Sequence, residues 1–122
     1  MIKVKGFNID KFTEAYLTCA LWSSNDDHGK ALDIGHKITD LARETLKKHV
    51  ADCAAFQKAH WDSIASDPGH AGHDFWLTRN GHGAGFWDGD WPEPAATVLT
   101  DAAEHYGEVY LYIGDDGLIY SS

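Results

Sequence analysis

The chain has 122 residues, 43% of them hydrophobic and 24% charged, with a net charge of −9 and two cysteines. That length suits one domain, residues 1–122, with a modest core of its own, and no apolar run approaches the ~20 residues of a membrane span. The charge is unevenly divided: residues 1–58 carry nine cations and eight acids, whereas residues 59–122 carry one cation, Arg79, and eleven acids. This balance excludes direct nucleic-acid binding, because phosphate contacts need clustered Lys and Arg. It suits an acidic surface that attracts a basic protein or imitates DNA phosphates.

The N-terminus lacks the apolar segment of a signal peptide, so a cytoplasmic location is expected. Cys19 and Cys53 then read as free, buried thiols. Met1 to Phe7 alternates and reads as an edge strand or a loose arm. From Asp10, the apolar positions Phe12, Tyr16, Cys19 and Ala20 recur at helical spacing, with Asn8 or Asp10 as the cap. The helix ends by Ser23, where Ser-Ser-Asn-Asp-Asp-His-Gly is turn chemistry, and residues 25–37 read as a surface loop.

A second helix, or a bent pair, is expected from Thr39 to Ser66, burying Leu46, Val50, Cys53, Ala54, Trp61 and Ile64. Asp67-Pro68-Gly69 reads as its stop. After Trp91-Pro92-Glu93-Pro94, a third helix carries Ala95, Leu99, Ala102 and Tyr106 on one face and ends at Gly107. Glu108 to Ile113 alternates as a strand, Gly114-Asp115-Asp116-Gly117 turns, and Leu118 to Tyr120 returns.

Between the second and third helices lies the stretch His73 to Trp91, HDFWLTRNGHGAGFWDGDW. Aromatic runs on either side of Gly81-His82-Gly83-Ala84-Gly85 read as a β-hairpin, with residues 73–79 paired to 84–90. The fold class is therefore α+β: a small antiparallel sheet of two hairpins packed with about three helices.

His73 to Asp88, Ala20-Leu21-Trp22-Ser23-Ser24, and Glu108 to Tyr112 with Gly114-Asp115-Asp116-Gly117 together resemble a family of small proteins from tailed bacteriophages, prophages and related mobile elements. The resemblance covers about a third of the chain. It implies a setting, that of an accessory protein in the host bacterial cytoplasm that binds and modulates a host protein such as a defence or nucleic-acid-processing factor. Family members often carry a basic residue directly after Phe-Trp-Asp, where this chain has Gly89.

In a hairpin centred on His82, Asp74 faces Asp90 and Trp76 faces Asp88. One face then carries Phe75, Leu77, Trp87 and Trp91 as core. The other sets the indole of Trp76 among Asp74, Asp88 and Asp90, a surface for a basic host protein. Opposed carboxylates repel, so a cation is expected between Asp74 and Asp90: a metal, a partner's Lys or Arg, or Arg79. A slip of one residue would exchange the faces. An alternative reading places a small ligand, such as a nucleotide signal, against Arg79, Asn80, Gly81, His82 and Gly83, whose backbone amides suit a phosphate.

His70-x-x-His73 with His82 matches no compact zinc motif, and neither a metal nor an organic cofactor is implied. No Ser sits in a nucleophile elbow and neither Cys carries a catalytic signature, so a binding protein is favoured over an enzyme.

Overall fold

The computed structural model describes residues 1–122. The fold is α+β: two antiparallel two-stranded sheets and four helices around one core. Strands β1 (Ile2–Val4) and β2 (Phe7–Ile9) pair with Ile2 opposite Ile9. Their turn is Lys5-Gly6, both at positive φ, which a two-residue hairpin demands. The N-terminal segment is thus a complete hairpin rather than a lone strand. Arg43 fastens it, donating through Nη1 to the Lys5 carbonyl at 2.6 Å and lying over the Phe7 ring.

Helix α1 (Lys11–Ser23) begins where expected, the Asp10 carboxylate accepting from Thr13 N at 2.8 Å. The segment after it makes two short 3₁₀ turns at Leu32–Ile34 and Ile38–Asp40. Helix α2 (Arg43–Ile64) is a single helix bent at His60, whose φ and ψ leave the helical region. It buries Leu46, Cys53, Phe56 and Ile64, while Ala54 and Trp61 lie exposed. Both cysteines are free and buried. Burial raises the Cys53 thiol well above its usual value and Cys19 to about 12.

The hairpin expected at residues 73–79 and 84–90 does not form. Pro68–Arg79 is helix α3. Asp67-Pro68, which resembles a stop, is a start: the Asp67 side chain accepts from His70 N at 3.2 Å, and Pro68 occupies the first helical turn. At the other end Gly81 N donates to the Thr78 carbonyl at 3.2 Å and His82 N to the Leu77 carbonyl at 3.0 Å, with Gly81 at φ +67°. That is a Schellman cap, so the glycine that resembles a hairpin turn closes a helix.

α3 is buried on nearly every side: Ala71, Gly72, Asp74, Phe75, Trp76, Leu77, Thr78 and Arg79 are all covered. It packs mainly against α1, closely enough that a Cβ on Gly72 would collide with the Phe12 backbone carbonyl. Residues 82–91 then fold back over α3. Phe86 N donates to Thr78 Oγ1 at 3.1 Å, and Phe86 fills the core against Phe56 and Trp91.

Helix α4 (Ala95–His105) lays Leu99 and Ala103 on this core, with Ala95, Ala102 and Tyr106 at its margin. Strands β3 (Leu111–Ile113) and β4 (Ile119–Ser121) form the second hairpin, with Leu111 opposite Ser121. Leu111 is buried and Tyr110 and Tyr112 are exposed, as the alternation requires, although Ile113 is exposed too. β4 also bridges Leu41 in parallel through Ile119. No helix is long and apolar enough to cross a membrane.

Candidate functional site

Helical geometry reverses the two tryptophans expected to differ. Trp76, expected as a surface indole, is 2% exposed; it meets Tyr16 edge-on and donates to Ser23 Oγ at 2.7 Å. Trp87, expected in the core, is 54% exposed. The strand pattern put them on opposite faces in the wrong sense. On the real backbone Trp76 lies inside a central helix, while Trp87 follows the buried Phe86 in a loop.

Asp74 and Asp90 do come together, though not as a cross-strand pair. Both approach one nitrogen, His70 Nε2, Asp74 Oδ2 at 3.1 Å and Asp90 Oδ2 at 3.3 Å. The group between the two carboxylates is therefore the imidazole of His70, and Arg79 lies elsewhere. Asp74 is buried and accepts from Trp91 Nε1 at 2.7 Å, so it belongs to the interior; Asp90 and Asp88 remain exposed. Asp88 Oδ2 caps its own loop by accepting from Gly85 N at 3.2 Å. No group of three or more His, Cys, Asp or Glu side chains is arranged to hold a metal ion.

The residues of the expected ligand loop are largely committed. Arg79 is 3% exposed and donates to Asp52 Oδ2 (3.0 Å), Tyr16 Oη (3.0 Å) and the carbonyls of Tyr106 (3.0 Å) and Gly107 (2.9 Å). Asn80 spans two elements, its amide donating to the Trp76 carbonyl at 2.9 Å and its Oδ1 accepting from Val109 N at 2.8 Å. The amides of Gly81 and His82 serve the helix cap. Gly81, His82 and Gly83 are exposed, but no free cation stands beside them to hold a phosphate.

Sequence reasoning missed a buried polar chain. Tyr16 Oη accepts from Arg79 and is hydrogen-bonded to His49 Nδ1, 2.7 Å away. His49 Nε2 in turn is hydrogen-bonded to Ser121 Oγ at 3.1 Å. Burial first, then the nearby Arg79 charge, lowers the His49 pKa to about 4. The imidazole is neutral near pH 7. The Tyr16 hydroxyl, desolvated, is raised well above its usual value.

What remains on the surface is acidic and aromatic. Trp87 borders two depressions. The first, of about 260 Å³, is lined also by Trp91, Glu93, Thr97 and Asp101. The second, of about 320 Å³, is lined also by Arg79, His82, Glu104 and Glu108. In the second half of the chain every acid except Asp74 is exposed, and the sole Arg or Lys is buried against Asp52. Glu93, Asp101, Glu104 and Glu108 thus line the depressions beside an exposed indole, and the one cation of their segment, Arg79, is paired with Asp52. The Asp115-Asp116 turn lines neither depression, and Lys5 adds its positive charge near Asp116.

Comparison with protein-family models, with curated proteins and with solved structures finds no match to this chain.

Proposed function

We propose that this chain is a phage or mobile-element accessory protein that binds a basic protein of its bacterial host and inhibits it, DNA mimicry being one form of that inhibition. The observation that carries the reading is Trp87, exposed and flanked by Glu93, Asp101, Glu104 and Glu108, while Arg79 is consumed inside. An indole face attracts a cation through its quadrupole, worth about 0.5–2 kcal/mol according to desolvation. The surrounding carboxylates add attraction that speeds encounter and weakens as salt rises. Trp87 takes the role that the sequence pattern assigns to Trp76. The nucleotide-binding alternative draws little support from the geometry, since the amides of Gly81 and His82 and the one nearby guanidinium are already bonded.

The test is affinity purification of tagged protein from host cytoplasm, with mass spectrometry of bound proteins and small molecules. A basic protein captured by the wild type, released by salt and lost with Trp87→Ala supports the proposal. Equal capture by Trp87→Ala, or a nucleotide as the one bound species, overturns it.

A further inference from the structure

The two depressions beside Trp87 differ in the charge they offer. One includes Arg79 in its lining. The other, of about 260 Å³, is lined by two indoles, Trp87 and Trp91, and two carboxylates, Glu93 and Asp101, with no Lys, Arg or His. Ala96, Thr97 and Thr100 complete the α4 side of it with small side chains, which leaves the space between indoles and acids open.

Thr97 and Asp101, four residues apart, share one face of α4. Glu93 stands just before the helix and is bonded to that face. Thr97 N donates to Glu93 Oε1 at 2.8 Å, and Thr97 Oγ1 lies 2.7 Å from Oε2 and 2.9 Å from Oε1. The Thr97 hydroxyl, and then its amide, hold the Glu93 carboxyl below its usual pKa. A hydroxyl that close to both oxygens sits on the two-oxygen edge of the carboxylate, the edge a guanidinium fork would use. Glu93 is therefore a fixed negative charge whose fork edge is taken. Asp101 is exposed and meets His105 through its backbone carbonyl, so its carboxylate is open to a donor. Trp91, 8% exposed, is held by its bond to Asp74 and by packing on Phe86. Trp91 and Glu93 are thus in place before anything binds, which lowers the ordering cost of binding.

We propose that this pocket takes a single lysine side chain of the partner, its ammonium against the indoles and hydrogen-bonded to Asp101, with Glu93 adding charge. The inference rests on the reading of the Trp87 face as the docking surface and names the side chain that face selects. An ammonium is a compact point charge that needs no planar partner, and an indole attracts it through its quadrupole. Its aliphatic stem finds apolar surface on Trp91 and Ala96.

The experiment titrates the isotope-labelled, full-length protein at low salt with end-blocked Gly-Gly-Lys-Gly-Gly, followed by NMR. Matched peptides carry arginine, or norleucine as the uncharged control. The lysine peptide should shift the indole signals of Trp87 and Trp91 and the Thr97 amide, with a Kd of about 1–5 mM. Arginine should bind at least ~3-fold more weakly and norleucine at least ~10-fold more weakly. Asp101→Asn should weaken the lysine peptide several-fold. Thr100→Leu fills the depression while keeping both indoles and both carboxylates, and should abolish saturation. Asp115→Asn, in a turn that lines neither depression, should leave binding unchanged.

The pocket is overturned if arginine binds as tightly as lysine, if norleucine binds within about twofold of it, or if Thr100→Leu has no effect. A lysine peptide that binds as expected while no host protein is captured supports the pocket and sinks the host-protein reading alone. A host protein captured equally by wild type and Thr100→Leu, yet lost with Trp87→Ala, sinks the pocket alone. The comparison of peptides uses the unaltered protein, so it decides even where a variant fails to fold.

Discussion

The indole N–H of Trp91 donates to Asp74 Oδ2 at 2.7 Å, reaching back across the loop to a carboxylate that is almost wholly buried. The same oxygen lies 3.1 Å from His70 Nε2, and Oδ1 lies 3.3 Å from His73 Nδ1. A carboxylate taken out of water needs such donors, and here they tie residues 82–91 to α3. Trp91→Phe keeps the ring and removes one donor, so it should destabilise by about 1–3 kcal/mol in chemical denaturation. Combined with Asp74→Asn, the two losses should be less than additive, because each removes the same bond. Full additivity would show that the bond carries none of the stability.

Gly72 sets how closely α1 and α3 approach. A Cβ there would strike the Phe12 backbone carbonyl, which cannot swing aside as a side-chain tip can. Gly72→Ala should destabilise by ~1–3 kcal/mol or more through overpacking, despite alanine's better helix propensity. Gly69, in the first turn of the same helix, has open space around its Cβ position. Gly69→Ala should therefore be neutral or stabilising by up to about 1 kcal/mol. Thermal melts of the pair check the contrast, and equal effects would contradict it.

His49 links stability to pH. Its pKa falls from 6.5 to about 4 on folding, through desolvation and then the Arg79 charge. Between those values the unfolded chain takes a proton that the folded chain refuses, so the contribution is fully present above pH 6.5. It declines as pH falls and is gone below about 4, a loss on the order of 3 kcal/mol. Denaturation of the wild type and of His49→Gln at pH 7 and pH 4.5 measures it. The wild type should lose more stability on acidification than the variant; identical losses would remove His49 as the cause.

The sequence makes α1, α2, α4 and the final hairpin legible because each has one apolar face and ordinary punctuation. Asp10 caps, Phe12, Tyr16 and Cys19 recur at helical spacing, and Val109 to Ile113 alternates. α3 defeats the same reading for a physical reason. It is enclosed by α1, α4 and the loop that follows, so its apolar residues form no stripe, and Phe75-Trp76-Leu77 looks like strand.

Its boundary signals were present but ambiguous. Asp67-Pro68 reads as a breaker or as a cap with proline in the first turn, and Gly81 as a hairpin turn or as a helix-ending glycine. Lys5-Gly6 likewise marks a hairpin that alternation over three-residue strands could not reveal. Of the expected surface, Asp88 and Asp90 remain outside. Trp76, Asp74 and Arg79 are inside because three consecutive turns of a central helix bury whatever they carry.

The reversal of the two tryptophans is the sharpest consequence and can be measured directly. Trp76 is covered, packs edge-on against Tyr16 and donates to Ser23 Oγ. Truncation would empty a large volume beside the Arg79–Tyr16–His49 chain and remove the donor that Ser23 Oγ accepts from. Trp76→Ala should therefore cost ~3–5 kcal/mol of stability. Trp87 is more than half exposed and makes no hydrogen bond through its indole nitrogen, so Trp87→Ala should change stability by less than about 1 kcal/mol. Its effect should appear in partner binding instead, as faster release with the salt dependence retained, because the carboxylates of Glu93, Asp101, Glu104 and Glu108 remain while the apolar anchor beside them is lost. Denaturation curves and partner affinity for both variants separate the two roles. A Trp87→Ala protein that melts far below the wild type would return that indole to the core and remove the acidic face as the docking surface.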